Sequence, residues 1–298
     1  MTVFKACQLL ASVEQRLHEN YKIVDTPADD VVAAITSSRF GVTNTQIDAM
    51  PALRAIVHFG VGYETTDVEY ARGKGIVVSN TPDVLTDCVA DLAVGGLIDV
   101  LRRISAAERF VRRGDWQHGQ FPLATRVTGR RVGILGLGRI GRAIAHRLTA
   151  FDARLSYHSR HEVPAVPYTY HASPTELAAE VDVLVVATSG GPATAGLVSA
   201  DVLAALGPAG YLVNIARGSV VDEPALVAAL TSGALAGAAL DVFADEPNVP
   251  EALLDMDNVV LLPHIASATT ETREAMGDLA FRNLEQFMTD GTLVTPVP

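Results

Sequence analysis

The chain has 298 residues, 49% of them hydrophobic and 6% aromatic, with 23 Lys and Arg against 34 Asp and Glu for a formal charge of −11. That much apolar material supports one large or two ordinary domains built on buried parallel strands, and the acidic balance disfavours a nucleic-acid partner while leaving room for an anionic small molecule at a local arginine. The two cysteines, Cys7 and Cys88, lie far apart without metal-ligand spacing, so no metal is expected; with no signal peptide and no charge-free run of the roughly 18 apolar residues a span needs, the chain reads as cytoplasmic, without membrane contact.

Apolar, β-branched runs at 31–35, 53–59 and 76–79 predict strands, with a helical pattern at 66–74. The second run ends in Gly60-Val61-Gly62 and the third in Asn80-Thr81-Pro82. Strands alternating with helices imply βαβ units and a parallel sheet. Residues 83–104 then predict one long helix, its apolar positions Val84, Leu85, Cys88, Leu92 and Leu97 at helical spacing, followed by an arm to about residue 129. A second series follows, with strands at 131–135, 155–158, 181–187, 211–215, 237–240 and 259–262. Helices are expected at 140–148, 175–180, before Gly207, at 223–231 and at 270–288. The last helix is expected to cross back to the first domain. The expected division is therefore 1–98 with 267–298 for a discontinuous substrate domain, and 99–266 for a cofactor domain.

Gly136-Leu137-Gly138-Arg139-Ile140-Gly141 is a GxGxxG that directly follows a predicted strand and opens a predicted helix. Gly136 serves the tight turn, Gly138 the approach of a pyrophosphate and Gly141 close helix–strand packing, with the helix N-terminus supplying N–H groups and a positive dipole end. The next strand ends Tyr157-His158-Ser159-Arg160. An NAD site wants Asp or Glu here for the ribose 2′-hydroxyl. His158 stands there instead, while Ser159 and Arg160 offer a hydroxyl and a charged fork to a 2′-phosphate. NADP(H) is therefore expected in preference to NAD(H), which stays possible.

Arg217, Glu246 and His264 all follow predicted strand ends, where open parallel sheets bind ligands. Beside a dinucleotide they fit one reaction. Arg217 can clamp a 2-oxo acid's carboxylate and polarise its carbonyl, and His264, kept protonated near neutral pH by Glu246, can donate the proton.

These residues, with Gly60-Val61-Gly62, Thr65, Thr66, Asp67, Val89-Ala90-Asp91, Asn214 through Gly218, Asp241 to Pro247 and Pro263-His264, resemble the D-2-hydroxyacid dehydrogenase family over essentially the whole chain. The resemblance implies an α/β protein of two parallel-sheet domains, one flavodoxin-like and one Rossmann-like, with a cleft between them. It implies Arg217, Glu246 and His264 as the catalytic set. It carries Asp241 to the nicotinamide carboxamide, and Thr188, Ile215, Ala216, His264 and Ser267 to the cofactor. It carries Val61, Gly62 and Leu85 to the substrate. The Tyr157 to Arg160 strand end and Val84-Leu85-Thr86 are most similar to the glyoxylate and hydroxypyruvate reductases, which prefer NADPH. In such reductases an arm like the one holding Trp116 packs across a homodimer and brings its Trp near the partner's substrate.

Two departures bear on this. Thr188-Ser189-Gly190-Gly191-Pro192 replaces the usual Pro and Leu after the Thr, implying a roomier or more mobile cofactor loop. No regulatory domain is expected after residue 298, which speaks against a long phosphoglycerate dehydrogenase, and Glu246 speaks against a formate dehydrogenase, where Gln stands. The rivals are an NAD-dependent member acting on 2-ketogluconate or a phosphoglycerate, and a nucleotide-sensing binding protein on the same fold.

Overall fold

A computed structural model describes residues Met1–Pro298. The chain forms two compact units, Met1–Leu85 with Ser267–Pro298, and Thr86–Ala266.

The first unit begins with β1 (Thr2–Lys5), α1 (Ala11–Asn20), β2 (Lys22–Val24), β3 (Val31–Ser37), α2 (Asn44–Asp48), β4 (Ala55–Phe59), α3 (Val68–Gly73) and β5 (Val77–Ser79). Its five strands are all parallel, in the order β2-β1-β3-β4-β5. Short helices start where side chains satisfy free N–H groups. Thr43 and Gln46 form a capping box on α2, and Asp67 accepts from Tyr70 N–H on α3. On β4, burial pushes the His58 imidazole down to about 4, so it is neutral at ordinary pH. Its Nε2 lies 3.0 Å from Thr66 Oγ1, which also accepts from Val42 N–H at 2.9 Å.

The second unit runs α4 (Thr86–Arg102), α5 (Ile104–Arg112), β6 (Arg131–Leu135), α6 (Arg139–Thr149), β7 (Arg154–His158), β8 (Thr169–Tyr170), α7 (Pro174–Ala179), β9 (Val183–Val186), α8 (Ala200–Leu206), β10 (Tyr211–Asn214), α9 (Glu223–Ser232), β11 (Gly237–Leu240), α10 (Glu251–Leu254) and β12 (Val259–Leu261). The seven strands are parallel, in the order β12-β11-β10-β9-β6-β7-β8. The chain moves outward from β6 through β8, then returns to β9 on the other side, so a topological switch point lies between β6 and β9. β9 (Val-Leu-Val-Val) is wholly buried, as a strand covered on both faces must be. The chain returns to the first unit as α11 (Thr270–Asp290), capped by Thr269 and ended by Gly291 at φ +80°.

Three expectations differ. The helix expected over 83–104 starts at Thr86 and breaks at Arg103, whose left-handed φ of +54° interrupts the helical ladder. Asp99 accepts from Ser105 N–H at 2.8 Å and restarts the chain as α5, so the apolar periodicity continues across a break it does not report. The division expected at 98/99 would cut α4. The units separate at its N-terminal end instead, because α4 packs on α6, β10 and β11. Arg147 on α6 ties Asp87 and Asp91 of α4 at 2.9 and 2.6 Å. The strands β1, β2 and β8 lie outside the runs expected from the sequence. No helix is long and apolar enough to cross a membrane.

Candidate active site

In a parallel sheet every strand's carboxyl end lies at one edge, so residues just beyond those ends gather there. The second unit puts Gly136 after β6, Ser159 after β7, Thr188 beyond β9, Ile215 to Arg217 after β10, Asp241 and Glu246 after β11, and His264 beyond β12.

The glycine turn has the shape of a phosphate cradle. A Cβ at Gly136 (φ +101°) would lie 2.7 Å from Thr188 backbone, and one at Gly141 2.1 Å from the Gly136 carbonyl oxygen. At Gly138 a Cβ would meet nothing within 4 Å. Gly138 is also the N-cap of α6, and no side chain caps that helix. An open approach to uncapped N–H groups fits a pyrophosphate. Arg139 and Ile140 form the first turn behind it.

The β7 end sorts its three residues by direction. The Gly136 N–H donates to His158 O at 2.9 Å, and Leu137 N–H to Ser159 Oγ at 3.0 Å. Having accepted, the Ser159 hydroxyl still has a proton to donate. The His158 ring is held in place, with Nδ1 donating to His171 O at 2.9 Å and the ring stacked on Tyr170. Arg160 is exposed, and no carboxylate stands among these residues. The set fits a 2′-phosphate better than a bare 2′-hydroxyl.

Two buried polar side chains, Asn214 and Asp241, hold the loops after β10 and β12. Asn214 brackets the loop after β10, its Oδ1 accepting from Ala216 N–H at 3.1 Å and its Nδ2 donating to Arg217 O at 3.0 Å. Arg217 itself is extended and half-buried, and its Nη1 donates to Ala216 O at 2.6 Å. Gly218 follows, and a Cβ there would lie 1.9 Å from the Phe243 carbonyl carbon. The Arg217 loop therefore touches the Glu246 loop backbone to backbone, which only glycine allows. Glu223 also accepts from Ala244 N–H at 2.9 Å and braces the second loop.

Glu246 Oε1 accepts from Phe243 N–H at 3.2 Å, and Oε2 lies 2.8 Å from His264 Nδ1. That contact occupies Nδ1 and turns Nε2 away from Glu246. His264 has φ +54°, a conformation that costs a non-glycine residue about 1–3 kcal/mol unless its surroundings impose it. Asp241 imposes it: its two carboxylate oxygens accept from Ile265 N–H at 2.7 Å and Ala266 N–H at 2.9 Å, just beyond the strained residue. Burial pushes the Asp241 carboxyl above its usual range, against the pull of those two bonds.

Ile215 and Ala216 are buried and Thr188 is half-buried. Trp116 is exposed on a short 3₁₀ turn, Asp115–Gln117, of the arm. Val61, Gly62, Leu85 and Ser267 belong to the first unit. Val61, Gly62 and Ser267 are half-buried, and Leu85 is buried. The bracing by Glu223 and the clamps by Asn214 and Asp241 are not visible in the sequence. A polar residue closing an apolar strand, as Asn214 does, is the one signal that points to such a clamp.

The chain was compared with known proteins. Residues 94–266 match the family described as D-isomer specific 2-hydroxyacid dehydrogenase, NAD binding domain. The hydroxyphenylpyruvate reductase of Plectranthus scutellarioides is 46% identical over 307 residues, covering 99% of this chain and 98% of that protein. The 2-ketogluconate reductase of Gluconobacter oxydans is 45% identical, covering 88% of this chain and 84% of that protein. Among solved structures, an NADPH-dependent glyoxylate/hydroxypyruvate reductase from Sinorhizobium meliloti, in complex with NADP and malonate, superposes with a TM-score of 0.94 at 45% identity, covering 99% of this chain and 96% of that one.

Proposed function

The chain belongs to the D-isomer specific 2-hydroxyacid dehydrogenases, and from that premise we propose that it reduces small 2-oxo acids, glyoxylate and hydroxypyruvate among them, to D-2-hydroxy acids with NADPH. The observation that carries this reading is the Glu246–His264 pair, set at the same sheet edge as Arg217 and the glycine cradle.

In this reading Gly136, Gly138, Arg139, Ile140 and Gly141 hold the pyrophosphate, Ser159 and Arg160 the 2′-phosphate, and Thr188, Ile215, Ala216, Asp241, His264 and Ser267 complete the cofactor site. The bound nicotinamide supplies a hydride to the carbonyl carbon. Val61 and Gly62 receive the substrate carboxylate with the Arg217 guanidinium, which also polarises the carbonyl. His264 gives the proton from Nε2 to the carbonyl oxygen, completing the hydroxyl, while Glu246 holds Nδ1 and fixes the direction of the ring. Leu85 borders the substrate side chain, with Trp116 reaching it from a second copy of the chain.

NADPH preference is checked by initial rates with each cofactor. His158→Asp with Arg160→Ala should shift the NADPH to NADH ratio of kcat/KM by about 10²-fold or more, since it adds a repelling carboxylate and removes a charged donor. Equal use of both cofactors by the unaltered protein would overturn the assignment. The Gluconobacter relative favours one alternative, a bulkier 2-oxo sugar acid as substrate. A substrate panel with NADPH ranks it against glyoxylate.

The proposal includes a cytoplasmic homodimer. Its support is the arm, where Ile104, Val111 and Trp116 are exposed and Leu123 fully so, an apolar surface that a second copy would cover. Light scattering should give twice the chain mass of 31.5 kDa. A monomer at assay concentration would remove Trp116 from the substrate site.

A further inference from the structure

The Val61–Gly62 peptide is one of several at the sheet edge of the first unit, and its orientation is held by a chain of polar contacts that reaches the C-terminal segment. Asn80 Nδ2 donates to Val61 O at 2.7 Å. On the N-terminal side of that peptide, Gly60 N–H donates to Thr81 Oγ1 at 3.0 Å and Thr81 N–H returns a bond to Gly60 O at 2.9 Å. The Val61–Gly62 bond is trans. In a planar trans peptide, C=O and N–H point in opposite directions. Fixing the Val61 carbonyl on Asn80 therefore aims the Gly62 N–H away from Asn80.

Asn80 is itself held. Thr295 Oγ1 donates to Asn80 O at 2.6 Å, and Asn80 N–H reaches back to Thr295 O at 3.4 Å. Thr295 is anchored by Asn283, which is wholly buried in α11: Nδ2 donates to Thr295 Oγ1 at 2.9 Å, and Thr295 N–H donates to Oδ1 at 3.0 Å. Val297 N–H donates to Val78 O at 2.9 Å and extends the attachment along β5. A buried asparagine bonded through both ends of its amide defines one position for its partner.

We propose that Asn80 is a positioning residue for substrate binding, and that Asn283 and Thr295 act through it, so that the C-terminal segment sets the direction of the N–H that receives the substrate carboxylate. The inference rests on the reading of Val61 and Gly62 given above. It assigns Asn80, Thr295 and Asn283 no contact with substrate or cofactor. Their effect is on the affinity for the oxo acid, not on the proton or hydride step.

The test uses the full chain with glyoxylate and NADPH. Asn80→Asp replaces the donor with a carboxylate that repels the Val61 carbonyl. It should raise KM for glyoxylate about tenfold, the loss of one well-aimed bond to a charged group, with kcat changed much less. The Kd for NADPH and the thermal midpoint act as controls. Thr295→Val removes a single hydroxyl and should move KM in the same direction, while Thr295→Ser restores it. Thr295→Val decides the matter should Asn80→Asp fail to fold. Gly62→Pro deletes the N–H itself and is the reference for the reading beneath. A raised KM in Gly62→Pro with unchanged KM in Thr295→Val and Asn80→Asp overturns the tether. An unchanged KM in Gly62→Pro overturns the carboxylate assignment instead. A purely structural role for the network would lower the thermal midpoint and leave KM where it was.

Discussion

His264→Ala is expected to lower kcat by about 10²–10⁴-fold, the contribution of a positioned general acid, with little change in NADPH affinity. Between β12 and α11 the imidazole is the only ionisable side chain, and its 2.8 Å contact with Glu246 commits Nδ1 to the protein. The backbone complicates the alanine variant, because His264 sits at φ +54° and an alanine there inherits the strain. His264→Asn is the better partner experiment. Asparagine tolerates the left-handed conformation and cannot act as a general acid. Both variants should lose the same order of activity in single-turnover measurements of the chemical step. If the asparagine variant recovers most of kcat, His264 acts by shape and the proton comes from elsewhere.

What could be read from the sequence follows from how local each cause is. The glycine fingerprint was legible because its pattern is local: three glycines within six residues, with an apolar strand directly before and a helix directly after. Arg217, Glu246 and His264 were legible as residues beyond strand ends, since a parallel sheet converts that position into a shared edge. The break at Arg103 was not, because its cause is the Asp99 carboxylate reaching forward to Ser105, and periodicity is blind to a single left-handed residue. The division at Leu85/Thr86 was not legible either. It depends on which sheet α4 packs against, and that is decided by partners such as Arg147 more than forty residues away. The clamps by Asn214 and Asp241 belong to the same class. In sequence they are polar residues closing apolar strands, and only the fold brings their acceptors and donors to the loops they hold.

Those clamps make Arg217→Ala an informative experiment. The carbonyl of residue 217 is held by Asn214 Nδ2 and the next residue is pinned by the contact of Gly218 with Phe243, so neither restraint passes through the guanidinium. Truncating the side chain therefore removes a cation and its Nη1 bond to Ala216 O, while these two restraints on the loop stay. Loss of one donor aimed at a developing oxyanion costs about 10²–10³-fold in kcat, and loss of the carboxylate's counter-charge raises KM as well. The product of the two, read as kcat/KM for glyoxylate, should fall further than for any other single substitution beyond β10. Arg217→Lys separates charge from geometry: an ammonium restores the attraction for a carboxylate but lacks the planar fork that can meet carboxylate and carbonyl together. KM should recover more than kcat in the lysine variant. Near-normal kinetics in Arg217→Ala would move both the carboxylate and the carbonyl to other donors, and the sheet edge would then need a different cation to account for reduction of a 2-oxo acid.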